Sequence, residues 1–536
     1  MKIEQDIEIP MRDGARLAAD VFRPTRGRAP VIMCFGIYQK DKLWVPPATL
    51  EEAPNPHMVW ETPNPLWWVP KGYALVRVDG RGSGKSPGRT DAWSPDEARD
   101  FYDAIEWAGR QPWCNGAVGL LGISYYAMVQ WLVANLRPPS LKAMIPWEGA
   151  TDMYRDFAYH GGIFSFGFAV NWFHSQMANH LLGAPQQSAT DSFAGDWLWH
   201  YMKNSLDNDW YTWRRARWQD ISVPFLTAGN WSGMGLHLRG NADAYMSSPI
   251  RHKKLRLHAG THIHPFHSKE GRQDQLRFFE RWLKGVDNGV MREPPVKLQI
   301  RRGGVDHYEW RNEREWPLKR TRWTRMYLDT GGGLSTAPGR RTKSIAYAAA
   351  TMTRMGIATG TFSSGAVGIA ETMGASFLTQ PFKQPTEITG PLALSLWVSS
   401  STRDLDLFVT IRNIDPDGKD ILEMGQQGQP VPVAKGWLRA SHREIDTERS
   451  LPYRPYHRHV LREWLTPGEP VHVMVEIWPT SMVFGEGHRL RLDIQPRDGL
   501  GSAPYSHFNG DYNSGTNTLH MGGRHDSHLL LPVIAD

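Results

Sequence analysis

The residues with the clearest chemical potential lie between Gln111 and Trp131, in QPWCNGAVGLLGISYYAMVQW. Ser124 follows a short apolar run, Ala117 to Leu121, bounded by Gly116 and Gly122, and it precedes Ala127, Met128, Trp131 and Leu132 at helical spacing. A short continuous apolar run is the signature of a strand buried on both faces of a parallel sheet. Strand, sharp turn carrying a serine, then helix is the layout of a nucleophile elbow, whose turn lifts the hydroxyl out at the carboxyl end of the sheet. Ser124 is therefore the candidate nucleophile. The pattern departs from G-x-S-x-G at its last position, where Tyr126 stands and Ala127 supplies a small residue one step later. A serine between strand and helix also commonly serves as an N-cap, so an elbow needs chemical partners elsewhere in the chain.

Those partners are a histidine to move the proton and a carboxylate to orient it. His258, His262, His264 and His267 crowd one segment. Such a cluster could ligate zinc, but no cysteine or carboxylate cluster accompanies it, and no metal or other cofactor is expected. The two cysteines, Cys34 and Cys114, sit in apolar surroundings typical of inert buried thiols. Gly80-Arg81-Gly82-Ser83-Gly84-Lys85-Ser86 resembles a phosphate-binding loop, yet Asp79 stands where its first glycine belongs and Pro87-Gly88 follows where a helix should open. A nucleotide site is rejected on that spacing.

The elements that must position these residues follow in order. A hairpin over residues 3–24, turning at Met11-Arg12-Asp13-Gly14, leads to buried strands at Pro30–Gly36, Tyr73–Asp79, Ala117–Leu121, Leu141–Trp147, Val223–Gly229 and Lys253–Gly260. Ser94-Pro95-Asp96-Glu97 opens a helix, with a Ser…Glu capping box and proline at its first position. Strands alternating with helices imply an α/β class and a doubly wound, mostly parallel sheet. Residues 39–70 form a long Pro- and Trp-rich loop, and residues at about 150–220 lose the alternation and look like a helical cap over the site. Near Pro294-Pro295 the composition changes, and residues 296–536 show short alternating segments separated by turns. The expectation is a catalytic domain over 1–295 and a C-terminal β-sandwich, a jelly roll, over 296–536.

Bulk properties bound the function. Charged residues at 22%, a net charge of +6 and no basic run give nucleic-acid binding little support. The first residues have no apolar core, and nowhere is there the run of roughly 18 apolar residues that a membrane helix needs. A cytoplasmic protein without nucleic-acid or membrane partners is expected, and a homo-oligomer is compatible with the chain. The 24 tryptophans, dense at 60–68 and 172–218, suggest an aromatic-walled cavity besides core.

MRDGARLAADVFRP (11–24), DGRGSGKSPG (79–88), PWCNGAVGLLGISY (112–125), DQLRFFERWLKG (274–285) and WPTSMVFGEGHRLRLDI (478–494) resemble the family of cocaine esterase, α-amino-acid ester hydrolases and X-prolyl dipeptidyl-peptidases. The resemblance implies an α/β-hydrolase domain with a helical cap followed by a jelly roll. It also implies Ser124 as nucleophile, the Tyr125 backbone N–H as one oxyanion donor and the Tyr38 hydroxyl as the other. In hydrolase sheets the catalytic histidine follows the last strand, which favours His262, with His264 as the competing base. The family's aspartate falls on Ser232, which cannot supply charge, and Glu148 at the end of the preceding strand is the nearest substitute. The expected activity is a serine hydrolase of small-molecule carboxylic esters acting through an acyl-enzyme. The alternative is an amide or peptide hydrolase of the same family, with Asp152 and Asp156 as candidates to hold a substrate ammonium. A protein that only binds, with an inactive hydrolase domain, is the reading from another class.

Overall fold

The computed structural model describes residues 1–178, 193–195, 197–304, 307–349, 374–499, 505–507 and 514–535. Ten strands form the first sheet: β1 Lys2–Pro10, β2 Arg16–Arg23, β3 Ala29–Gly36, β4 Ala74–Asp79, β5 Cys114–Ile123, β6 Leu141–Trp147, β7 Phe225–Asn230, β8 Lys253–His258, β9 Val296–Arg301 and β10 Tyr308–Glu313. Their order is β1-β2-β4-β3-β5-β6-β7-β8-β9-β10. From β4 through β9 all neighbours are parallel, and the hairpins at the two edges are antiparallel. The chain steps from β3 to β4 on one side and then to β5 on the other, so the order reverses at β3. In open α/β sheets the crevice beyond the carboxyl ends at such a reversal is where ligands bind. Tyr38 follows β3 and Ser124 follows β5, so topology alone brings both to that crevice.

The apolar runs that identify these strands are buried because helices cover both faces. Helices α1 Pro95–Gly109 and α2 Tyr125–Ala134 pack Phe101, Ile105, Met128 and Trp131 into the core on one face. On the opposite face, helix α4 (Lys269–Leu283) sets Phe278, Phe279 and Leu283 against Leu121, Ile145 and Trp68; α3 (Leu238–Ser247), which follows β7, places Ala244 in the core that α1 and α2 cover. The start of α1 differs in detail from a closed capping box. Ser94 Oγ accepts from Glu97 N at 3.1 Å, but the Glu97 carboxylate reaches one residue further back, to Trp93 N at 2.7 Å. The cap region contains the π-turn Met153–Ala158 and the helices Phe166–Trp172, Trp197–Lys203 and Asp209–Thr212; its residues 179–192 and 196 lie outside the described residues.

The first sheet runs on past residue 295. β9 pairs in parallel with β8, and β10 pairs with β9, so the first sheet continues to Glu313. Alternating segments look the same in either sheet, and only non-local pairing separates them. Beyond Glu313 the described residues form strands and one short 3₁₀ helix, Ala440–His442. The strand pairing runs Thr386–Ser400, Val471–Phe484, Ala434–Arg439, Asp406–Ile414, Arg489–Gln495, Ala375–Thr379, Gly333–Ser335, Thr321–Leu328 and His528–Ile534, and the last pairs back with the first. The sheet thus closes on itself through these strands, around a core that includes Leu394, Leu407, Ile477 and Leu492. The two domains share an apolar seam in which Trp231, Leu257 and Leu298 meet Phe408, Trp437 and Trp478. Buried Arg301 crosses that seam, donating to the Ser481 carbonyl at 2.9 Å and the Thr480 hydroxyl at 2.6 Å.

Candidate active site

Ser124 sits between β5 and α2 with φ 56° and ψ −114°, a sparsely populated region that a side chain adopts only where its surroundings impose it. Its N–H is held by the Trp147 carbonyl at 3.0 Å, and Ile123 N by the Glu61 carbonyl at 3.1 Å. Tyr126, which replaces the usual glycine, fits because glycines surround it. A Cβ on Gly122 would stand 2.4 Å from Tyr126 Cβ, and one on Gly36 2.7 Å from its ring. The departure at Tyr126 is thus compensated on neighbouring strands. Glu61 and Glu148 also have positive φ, 60° and 48°. Three of the eight non-glycine residues with positive φ among the described residues therefore meet at one site, where backbone strain tends to concentrate.

Glu148 directly follows β6 and is fully buried. One carboxylate oxygen lies 2.6 Å from His262 Nδ1 and accepts from the Gln426 amide; the other accepts from Asn230 Nδ2 at 3.3 Å. The structure therefore brings together the carboxylate and the imidazole that the sequence singled out. On its far side His262 Nε2 lies 2.9 Å from Glu61 Oε1. Burial disfavours the imidazolium, but the Glu148 and Glu61 carboxylates outweigh it and hold the His262 pKa up at about 10. Glu61 is itself raised by burial, which His262 offsets in part.

The hydrogen bond to Ser124 comes from elsewhere. Ser124 Oγ is 3.3 Å from Nε2 of His237, a residue not singled out in the sequence. His237 stands at the start of α3, 1% exposed, in the loop that also carries Ser232. Its ring is stacked on His262, centroids 5.5 Å apart and planes 7° from parallel. Burial, and then the positive charge of His262, push its pKa well below the ordinary histidine value. The one sequence signal for it was a histidine a few residues past the turn where an acid was sought.

The remaining candidates separate. His264 bonds Thr49 at 2.8 Å and Thr261 at 2.6 Å, His267 bonds Glu52 at 2.6 Å, and His258 stacks on Trp147. Ser232 Oγ donates to the Met424 carbonyl at 2.7 Å and turns away from the histidines. Asp152 and Asp156 pair with Arg155 and Arg239, both at 2.8–2.9 Å, beneath the domain seam. Tyr38 is buried, its ring beside those of Tyr125 and Tyr126, and its hydroxyl accepts from Trp172 Nε1 at 2.6 Å. Tyr125 opens α2, where first-turn N–H groups have no intrahelical acceptor, and its hydroxyl donates to buried Glu97. The turn after β4 wraps round Asp79, which accepts from Lys40 N at 2.6 Å and Lys85 N at 3.0 Å, so its carboxylate fills the place of a phosphate.

A cavity of about 670 Å³ opens over this site, lined by Ser124, Tyr38, Glu61, His237 and His262 and walled by Trp44, Trp60, Phe168 and Trp172. The tryptophan-rich segments thus supply part of its wall, and others, such as Trp131 and Trp68, are core. Gln426 and Tyr505 of the C-terminal domain complete the lining. Glu148, His237 and His262 offer ligand atoms within 4.8 Å of one another, but those atoms are already engaged with each other and with the Gln426 amide. Among the described residues no helix is long and apolar enough to cross a membrane.

Comparison with known proteins finds relatives along nearly the whole chain. Residues 13–264 match the family model described as X-Pro dipeptidyl-peptidase (S15 family), and residues 288–530 match the X-Pro dipeptidyl-peptidase C-terminal non-catalytic domain. The chain is 26% identical to cocaine esterase of Rhodococcus sp., over 99% of this chain and 98% of that protein. It is 31% identical to a CocE/NonD family hydrolase of known structure from Staphylococcus aureus, with a TM-score of 0.88 over 99% of this chain and 94% of that one. An aminopeptidase from a marine sediment Thaumarchaeota archaeon, 17% identical over 100% of this chain and 96% of that one, shares the fold with a TM-score of 0.72.

Proposed function

The chain belongs to the CocE/NonD family of serine hydrolases, and from that premise we propose that it cleaves small-molecule carboxylic esters through an acyl-enzyme on Ser124. The observation that carries this is the strained elbow serine at the sheet's order reversal, facing an aromatic cavity beside a carboxylate-bound imidazole. Ser124 Oγ attacks the ester carbonyl while His262 Nε2 takes its proton, once that nitrogen has passed its own proton to Glu61, whose pKa burial raises, and turned from it to the serine. Glu148 stays charged throughout; it fixes the proton on Nδ1 and stabilises the imidazolium. Tyr125 N–H and the Tyr38 hydroxyl face the oxyanion, where donors count most because charge develops there. His262 then gives its proton to the departing alcohol. Water repeats the sequence: His262 takes a proton from it, the acyl group leaves as the acid, and the proton returns to Ser124 Oγ.

Amide or peptide bonds are the second substrate class, favoured by the X-Pro peptidase family model. The partner Asp152 and Asp156 would need for an ammonium role is taken by Arg155 and Arg239, so the ester is preferred. The same proposal includes a cytoplasmic protein working without cofactor, and a C-terminal domain of jelly-roll type that closes one side of the pocket. Turnover of a p-nitrophenyl acyl ester against the matching anilide, followed by fluorophosphonate labelling, tests it. Ester turnover abolished by label on Ser124 is the expected result; label elsewhere, or an inert ester with a turned-over anilide, overturns it.

A further inference from the structure

We propose that His237 is a fixed hydrogen-bond donor to Ser124 Oγ, its tautomer locked by Gln426 of the C-terminal domain, and that it stabilises charge on that oxygen without ever moving a proton. The proposal rests on Ser124 being the nucleophile.

The assignment follows from a chain of hydrogen bonds that has only one consistent direction. The Tyr505 hydroxyl accepts from Gln427 Nε2 at 3.2 Å and so donates to Gln426 Oε1 at 3.0 Å. Gln426 Nε2 faces the Glu148 carboxylate, which at neutral pH only accepts. Turning the amide over would set its oxygen against that carboxylate and lose both bonds. The same Nε2 lies 3.4 Å from His237 Nδ1, which must then present its lone pair. A neutral imidazole without a proton on Nδ1 carries it on Nε2, the atom 3.3 Å from Ser124 Oγ. His237 is 1% exposed, and burial beside the His262 cation keeps it neutral.

An N–H pointed at Oγ is useful at two moments. When His262 removes the serine proton, Oγ takes on alkoxide character; when the acyl-enzyme collapses, Oγ is the leaving oxygen and takes it on again. A pre-positioned donor in a site screened from water favours both. The proton that travels is the one on His262, so His237 enters and leaves the cycle in the same protonation state. Gln426 and Tyr505 come from beyond the first sheet, so the C-terminal domain sets the chemistry of the serine as well as closing the pocket.

The test compares kcat and the acid limb of kcat/KM for wild type, S124A, H237Q and H237N on a p-nitrophenyl ester. A glutamine amide N–H reaches where His Nε2–H stood; asparagine keeps the polarity but falls short. H237Q within about tenfold of wild type, H237N down about 10²–10³-fold, and an unmoved acid limb in both are expected. H237Q as inactive as S124A, or an acid limb that shifts in either variant, would make His237 the base and overturn the proposal. An active S124A removes the nucleophile and the proposal with it, which distinguishes the two failures. Histidine-selective ¹⁵N spectra of wild type, before and after fluorophosphonate modifies Ser124, give the answer without a variant. The neutral imidazole that responds is expected to be protonated on Nε2, and protonation on Nδ1 overturns the assignment.

Discussion

The loops after β7 and β8 deliver two histidines to one edge of one sheet, ring against ring, and give them opposite electrical characters. His262 lies between two carboxylates and is held up at about 10; the ring nitrogens of His237 face an amide and a hydroxyl, and burial and the charge of His262 push it well below the ordinary value. Burial disfavours charge on both. The carboxylates decide, and they reach only one ring. Under the proposed roles, what separates the proton carrier from the proton holder is the partner on the far nitrogen, Glu148 for one and Gln426 for the other.

The comparison breaks first at His262. His262→Ala is expected to lose about as much turnover as removing a triad nucleophile, on the order of 10⁶-fold; a loss under a hundredfold would pass the base to His237. Cutting the chain after residue 295 is the next largest change. It removes β9, β10, Gln426 and Tyr505, uncovering the β8 edge and Leu255 and Leu257. No soluble active fragment is expected, whereas a soluble, fully active 1–295 fragment would separate the C-terminal domain from the chemistry.

Glu61→Gln sharpens the comparison through pH. Both carboxylates raise His262, so loss of one charge lowers its pKa. His262 must be neutral to accept the serine proton, and the acid limb of kcat/KM should therefore move toward lower pH. The linked stability runs the other way. A histidine raised in the folded state contributes stability that is fully present below its unfolded pKa of about 6.5 and is lost as pH rises through about 10. Glu61→Gln should thus lower the melting temperature at neutral pH and close the gap to wild type in strong alkali. An acid limb that stays put would remove Glu61 from contact with the base. The smallest effect belongs to His264→Ala, whose ring is tied to Thr49 and Thr261; turnover within a few-fold of wild type is expected, and a collapse would restore it as the competing base.

What could be read from the sequence was local. The elbow is contiguous, so Ser124 and the flanking strand and helix follow from apolar spacing within a few residues. Glu148 was reachable because strand ends on one edge are neighbours. His237, Glu61 and Gln426 were not, because their contacts join residues 113, 201 and 278 positions apart with no motif at either end. The extent of the first sheet was hidden for a related reason: β9 and β10 alternate as C-terminal strands do, and only pairing with β8 assigns them to the first sheet.

The central claim is that a carboxylate moved one strand over, Glu148, makes His262 the base. Glu148→Gln keeps the shape and removes the charge, so kcat on a p-nitrophenyl ester is the most direct measurement, with thermal unfolding as the check on folding. A fall of about 10³–10⁴ in kcat is expected, as when the carboxylate of a serine triad is neutralised. A folded variant that loses less than tenfold would contradict it.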